Sequence, residues 1–429
     1  STTQITIGGD IRIRGDYRHN TTTFNNNGPD ENIAFYDERI RLSIDAQVTP
    51  NTEAFIMIQA ANGPNASTAY TWGGPPDIGT GGAKGTYAKG DTVRGQLNVL
   101  EGWILYKGSG LLGVPAGVKV GHMPLALGNK IFFDHTQFGD DALVFFADPT
   151  KELHVGLLTA KFQENNTAKN DDATAYVGLF TYKTKDWGIG GDVTYVNDQA
   201  IGYGTGGTSL WNFGLRGNVN VSGFGLWVDG EVQTGKAEGI INIPGNTNHD
   251  MKFKGWAIDA GASYTISGIK LLLEYIYGSG QKGDDPNSFK QFVTALSNAQ
   301  HYTYVYDYLT VSSGISLTSP NGQNQDQGVA NTQYVRLGVS GDLMKNLSGE
   351  FYYYNLRANQ LLAVDTAKGA TRSIGNEIDA KVTWKLDKNL NYWVEGGYLF
   401  AGNFWKRTTG LNVNPDDAYA IRHGIQLSF

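Results

Sequence analysis

Alternation with a period of two runs through this chain and restricts its fold more than any other property. Ile5, Ile7, Ile11, Ile13 and Tyr17 share one parity, and Thr6, Asp10, Arg12, Arg14, Asp16 and Arg18 share the other. Successive side chains point to opposite faces only in a strand, so this segment is β. Ile40, Leu42, Ile44, Ala46 and Val48 alternate in the same way with Arg39, Arg41, Ser43, Asp45 and Gln47. The code recurs where Phe224, Leu226, Val228 and Val232 oppose Trp227, Asp229, Glu231 and Gln233. Further on, Ile269, Leu271, Leu273, Tyr275 and Tyr277 oppose Lys270 and Glu274, and Ile378, Ala380, Val382 and Trp384 oppose Glu377, Asp379, Lys381 and Thr383. The last segment sets Ile421, Ile425, Leu427 and Phe429 against Arg422, Gly424, Gln426 and Ser428, with His423 interrupting the apolar row.

Two environments accept such strands. In a soluble sandwich the charged face meets water and the apolar face a protein core; in a membrane barrel the apolar face meets lipid and the charges line a wet lumen. The connections decide between them. Short joints fall at 49–52, 108–117, 148–151, 183–186, 220–223, 265–268, 342–346 and 386–389. Between them lie long ones at 20–32, 62–92, 122–140, 163–172, 197–208, 236–250, 281–330, 358–370 and 402–417. Short turns at one end and long loops at the other are the build of bacterial outer-membrane barrels. The expected fold is all-β, a transmembrane antiparallel barrel of about 18 strands. Residues 1–429 then form one barrel domain, with both termini on the periplasmic side and strand 418–429 closing onto strand 3–19.

Composition agrees. No run of about 18 apolar residues exists for a helical span, and the low mean hydropathy is compatible with a barrel because only every second residue faces lipid. Cysteine is absent, which suits export without disulfides and removes Cys-ligated zinc and haem c attachment. The start at Ser1, without a leader, fits a processed chain. A net charge of −7 argues against nucleic acid as a partner. Tyr264, Tyr277, Trp384, Tyr398 and Phe400 end lipid-side rows, as interfacial girdles require.

Leu100 to Tyr106 (Leu-Glu-Gly-Trp-Ile-Leu-Tyr), followed by Gly117 to His122 (Gly-Val-Lys-Val-Gly-His) and Leu127-Gly128-Asn129, resembles the alginate-export family of outer-membrane barrels. Phe289-Lys290-Gln291-Phe292 in the longest loop and Asn376-Glu377-Ile378-Asp379 on a late strand extend the resemblance. It implies an 18-stranded monomeric pore with loops folding into the lumen. One departure stands out: the family's Gly-Arg-Gln is Gly121-His122-Met123 here. The polar faces also carry more acids than bases, which disfavours a polyuronate cargo.

The expected pore-lining residues are Arg12, Arg14, Arg39, Arg41, Asp45, Glu101, Lys119, Arg216, Asp229, Glu231, Arg336, Glu377, Asp379 and Lys381. Arg12, Arg14, Arg39 and Arg41 sit on the first two strands. They either face acids across the pore, creating a transverse field, or form a salt-bridged ladder with Asp10, Asp16 and Asp45. The expected constriction loop is His122 to Asp140, with Asn129, Lys130, Asp134 and His135, and its Ile131-Phe132-Phe133 triplet must bury somewhere. In the longest loop, Pro286 followed by Phe289, Phe292, Val293 and Leu296 predicts a helix from Asp285. The run His301 to Tyr308 is either a sugar-contacting surface or a packed cap. Asp284-Asp285 and Asn414 to Asp417 lack full calcium-ligand spacing, and the seven His are not placed beside a nucleophile. No cofactor, metal or catalytic site is expected. The expected function is a passive channel in the bacterial outer membrane, monomeric, contacting lipid and lipopolysaccharide and passing small polar solutes. The alternatives are an exporter of a polysaccharide or sugar acid, and a plugged structural or surface-binding barrel.

Overall fold

The computed structural model describes residues 2–28, 32–61, 70–72, 96–200, 206–239, 245–246, 250–281, 285–295, 303–306 and 328–429. Among these residues eighteen strands span the sheet. They are β1 (Gln4–His19), β2 (Asn32–Thr49), β3 (Thr52–Ala61), β4 (Gln96–Gly108), β5 (Ala116–Met123), β6 (Asp140–Ala147), β7 (Leu153–Gln163), β8 (Ala173–Lys183) and β9 (Trp187–Asp198). Then follow β10 (Gly207–Val221), β11 (Phe224–Glu238), β12 (Trp256–Ile266), β13 (Ile269–Gly278), β14 (Thr332–Met344), β15 (Leu347–Ala358), β16 (Ser373–Asp387), β17 (Leu390–Ala401) and β18 (Ala418–Ser428). Each strand pairs antiparallel with its sequence neighbours. β18 pairs back onto β1 from Asp10–Ser428 to His19–Tyr419, so the sheet closes and has no free edge.

Local chemistry builds the short turns. Ser222 and Gly223, and Ser267 and Gly268, have φ of +50°, +84°, +49° and +78°. Positive φ at both central residues is the two-residue hairpin geometry that matches strand twist.

The distribution of apolar side chains is inverted relative to a soluble protein. Ile5, Leu97, Leu226, Leu273, Leu337 and Ile421 stand exposed on the outer face, where lipid would cover them. The buried apolar cluster instead lies inside the cylinder, built by connections that turn inward. Phe24, Ile131, Phe132, Phe133, Phe292 and Trp405 are among its members. Phe24 stacks on Trp405 with centroids 4.1 Å apart.

The expected helix at Asp285 is not formed. Ser288–Phe289 instead pairs in parallel with Met251–Phe253. The segment's polar backbone is taken up elsewhere: Val293 N–H donates to Gln233 Oε1 at 3.0 Å, and Phe292 N–H donates to the Ser279 carbonyl at 3.0 Å. Phe289, Phe292 and Val293 are buried without helical periodicity, because the inner wall offers apolar partners all along the segment. Leu296 and Asp284 lie outside the described residues, as do all but Thr303 to Tyr306 of the 301–308 aromatic run.

Candidate functional site

The polar faces of β1 and β2 form one charged wall. Arg14 makes a two-pronged pair with Asp37, Nε to Oδ1 at 2.9 Å and Nη2 to Oδ2 at 2.7 Å. Arg39 donates to Asp10 Oδ1 from Nη2 at 2.7 Å. Asp16 pairs with Arg422 at 2.9 Å and with Arg18 at 3.2 Å. The expected ladder therefore needs correction: Asp37 is a partner the sequence did not suggest, and Asp45 pairs with no basic group among the described residues. The register explains this, since Arg14 lies opposite Asp37 whereas Asp45 lies opposite Thr6. Arg12 Nε and Nη2 are buried without a hydrogen-bond partner among the described residues, and Arg41 reaches only Gln59 Oε1, at 3.4 Å. Next to this wall, Lys119 Nζ sits 4.0 Å from the Trp103 ring centre. Trp103 in turn stacks on Phe55 and donates from Nε1 to Glu101 Oε1 at 3.2 Å.

A second wall, on β9 to β13, is organised around Arg216. One guanidinium meets three carboxylates: Asp192 at 2.6 Å, Asp229 at 3.2 Å and Glu231 at 3.2 Å. Asp259 lies directly across the strand pair from Asp229 and accepts from Trp227 Nε1 at 3.2 Å. Glu274 pairs with Arg336 at 2.7 Å. Five acids thus stand against two arginines, Arg216 and, on β14, Arg336, and Asp259 pairs with neither among the described residues. Lys381, on β16, lies 5.6 Å from the Trp393 ring centre. β1 and β10 stand nine strands apart in the closed ring of eighteen, so the two walls face each other across the lumen.

The connection between β5 and β6 turns inward to the second wall. Its Asn129 N–H donates to Asp229 Oδ2 at 3.0 Å, and Lys130 takes φ +66° at the bend. Ile131, Phe132 and Phe133 are buried in the inner cluster. Asp134 and His135 are buried too and hold the loop in shape: Thr136 Oγ1 donates to Asp134 at 2.6 Å. The His135 ring lies between Asp140, at 2.9 Å, and the Ala295 carbonyl oxygen, at 2.7 Å. A cavity of about 690 Å³ opens below Gly128 and Asn129, bordered by Arg216, Trp227, Asp259 and Glu274.

Carboxylates of the long connections cap backbone. Asp417 accepts from Ala401 N–H at 2.9 Å and from Tyr398 at 2.9 Å, and Asp416 accepts from Asn26 N–H at 2.8 Å. Asp285 is held below its ordinary range by Ser288 and the Asn287 N–H. Asp172 is held below its ordinary range chiefly by Lys161, while burial lowers the Arg407 guanidinium against the opposing charge of Asp365.

The family described as alginate export matches residues 3–416. The chain belongs to the alginate-export family. No curated protein matches the sequence. Among solved structures, OccK9 (OpdG) of Pseudomonas aeruginosa is 12% identical, with TM-score 0.59 over 99% of this chain and 98% of that one. OccAB1 of Acinetobacter baumannii is 10% identical, with TM-score 0.55 over 99% and 96%. The outer membrane protein OprD of Pseudomonas aeruginosa is 10% identical, with TM-score 0.55 over 99% and 94%. At these identities the likeness is one of fold, and it places this alginate-export family member among closed outer-membrane barrels.

Proposed function

We propose that this barrel is a passive channel for small polar or charged solutes, with selectivity set where the β5–β6 loop meets the acidic wall opposite Arg12 and Arg41. The observation carrying this reading is the opposition of two unequal walls across one lumen. On β1–β2 the acids other than Asp45 are paired, while Arg12 and Arg41 carry no ion pair among the described residues; on β9–β13 acids outnumber bases. Charges of opposite sign across a narrowed, low-dielectric passage create a transverse field that orients a dipolar or charged solute. The net positive charge of Arg12 and Arg41 on this wall favours an anionic group such as a carboxylate. Arg14, Arg39, Asp45, Glu101, Lys119 and Lys381 would line the remainder of the pathway, whereas Glu377 and Asp379, expected there too, lie covered by residues 304–306. Transport of this kind needs no catalysis or cofactor, and a closed ring needs no second copy, so we place the protein in the outer membrane as a monomer.

Membership of the alginate-export family supports a second reading, export of a polysaccharide or sugar acid. Single-channel conductance in a planar bilayer, with a salt gradient giving the reversal potential, separates the two. A steady conductance with cation preference supports the small-solute reading, and anion preference brings the polyanion exporter forward. Conductance equal to that of bare lipid overturns both and leaves a plugged barrel.

A further inference from the structure

Inside the barrel a single carboxylate closes on consecutive main-chain donors of a distant connection. Glu377, on β16, is fully buried. Tyr304 N–H donates to its Oε1 at 3.0 Å, Val305 N–H to Oε1 at 2.5 Å and Tyr306 N–H to Oε2 at 3.0 Å. Tyr304 N–H also donates to Asp379 Oδ2 at 3.1 Å. Successive N–H groups aimed at one point form an anion-binding nest. Bonds to an ionised acceptor are roughly twice as strong as neutral ones. Here the anion is a side chain of the barrel wall, 72 residues from Val305 in sequence.

The wall is shaped to receive these residues. Gly397, beside Asp379 on β17, has no side chain where a Cβ would come within 2.8 Å of Val305 Cγ2. Val305 is fully buried there. Tyr304 carries Arg422 over its ring at 5.3 Å, and Tyr306 meets Trp405 edge-on at 6.4 Å. Residues 303–306 therefore lie as a strap on the inner face of β16 and β17.

The geometry points to a latch: Glu377 holds the 303–306 strap inside the lumen by filling its backbone nest, and release of the strap both widens the passage and uncovers Glu377 and Asp379. Opening and charge are then coupled. With the strap docked, backbone donors mask both carboxylates; with it released, the lumen gains two acids on a stretch of wall that lies outside β9–β13. States of larger conductance are therefore also the more cation-preferring ones. This role rests on the channel reading for its consequence but not for its existence, because docking can be measured without conduction.

The chain contains no cysteine, so Val305→Cys gives one thiol under the strap. Its reaction with a charged maleimide is compared in folded protein carrying Glu377, E377Q or, as a control, E350Q, a luminal acid one strand away. Assembly is checked by the heat-dependent gel shift of folded barrels. Labelling in E377Q is expected to be faster by on the order of tenfold, the loss of about one charge-assisted bond, with E350Q unchanged and with a larger open conductance of E377Q in bilayers. Equal labelling rates in E377Q and the parent overturn the latch. Faster labelling with silent bilayers in every background upholds the latch and defeats the channel reading. Where E377Q does not assemble, E377D keeps the charge but withdraws it by one methylene, and the same increase in labelling is expected.

Discussion

The β1–β2 wall and the β9–β13 wall are made of the same residue types and treat charge in opposite ways. On β1–β2 most acids are matched to arginines, as with Arg14 and Asp37 or Arg39 and Asp10, and Asp45 is the exception among the described residues. What is left over is net cationic, Arg12 and Arg41 against the single Asp45. On β9–β13 a single Arg216 is shared by three buried carboxylates, and the surplus is anionic. Paired charges stiffen a wall, whereas surplus charge is what a passing solute feels. The difference teaches that total lumen charge is a poor guide to selectivity, because most of it is already spent within the wall.

The largest effect that tests this contrast is expected from Arg216→Met. It leaves Asp192, Asp229 and Glu231 buried without their shared cation, and removing one partner of a buried pair costs about 3–5 kcal/mol. A lowered midpoint in urea unfolding of the reconstituted barrel reads it. An unchanged midpoint would mean that water already solvates this wall and that the two walls do not differ. Next comes Arg12→Gln with Arg41→Gln. Neither guanidinium carries an ion pair among the described residues, so stability should move by less than about 1 kcal/mol. Capture of a small carboxylate should fall on the order of tenfold, and the reversal potential should move toward cations.

Salt gives a smaller and reversible version of the same test. Raising ionic strength from about 0.1 M to about 1 M shortens the screening length from about 10 Å to about 3 Å. Selectivity of the unaltered barrel should then shrink, and that of the double variant should change less. If selectivity persists at high salt, steric fit to the β5–β6 loop outweighs the field.

The smallest effect marks where the comparison ends. Asp172, in the β7–β8 connection, belongs to neither wall; its titration is depressed first by Lys161. A depressed carboxylate contributes stability above its unfolded value and loses it as pH falls through its folded one. Hydrogen exchange at Asn165, whose N–H donates to Asp172 at 3.4 Å, should therefore speed up only below the ordinary carboxylate range. The reversal potential should not follow that transition; if it does, charge outside the two walls contributes to selectivity.

Much of this was readable in advance for a local reason. A strand repeats every two residues whatever surrounds it, so the faces of β1, β2, β11, β13, β16 and β18 follow from residue order. A Ser-Gly pair at 222–223 or 267–268 needs no distant partner to turn. The triplet Ile131-Phe132-Phe133 announced that it must bury, since a contiguous apolar run is costly in water.

Partners were another matter. The sequence placed Arg14 on a polar face but offered Asp10, Asp16 and Asp45 as its acids; the length of the β1–β2 connection sets the register that chose Asp37. The spacing of Phe289, Phe292 and Val293 read as a helix because periodicity records which residues need burial, not which surface supplies it. Inside the barrel that surface is the inner wall and the β5–β6 loop, with Ala295 N–H donating to the Phe132 carbonyl at 3.0 Å. Glu377 carried no sign of its nest, since main-chain donors leave no residue-type signature. Alternation and turn chemistry, both short-range, determined a closed membrane barrel from the sequence alone. Which charges are spent and which connections enter the lumen was decided by the tertiary structure, because both depend on surfaces that exist only once the ring has closed.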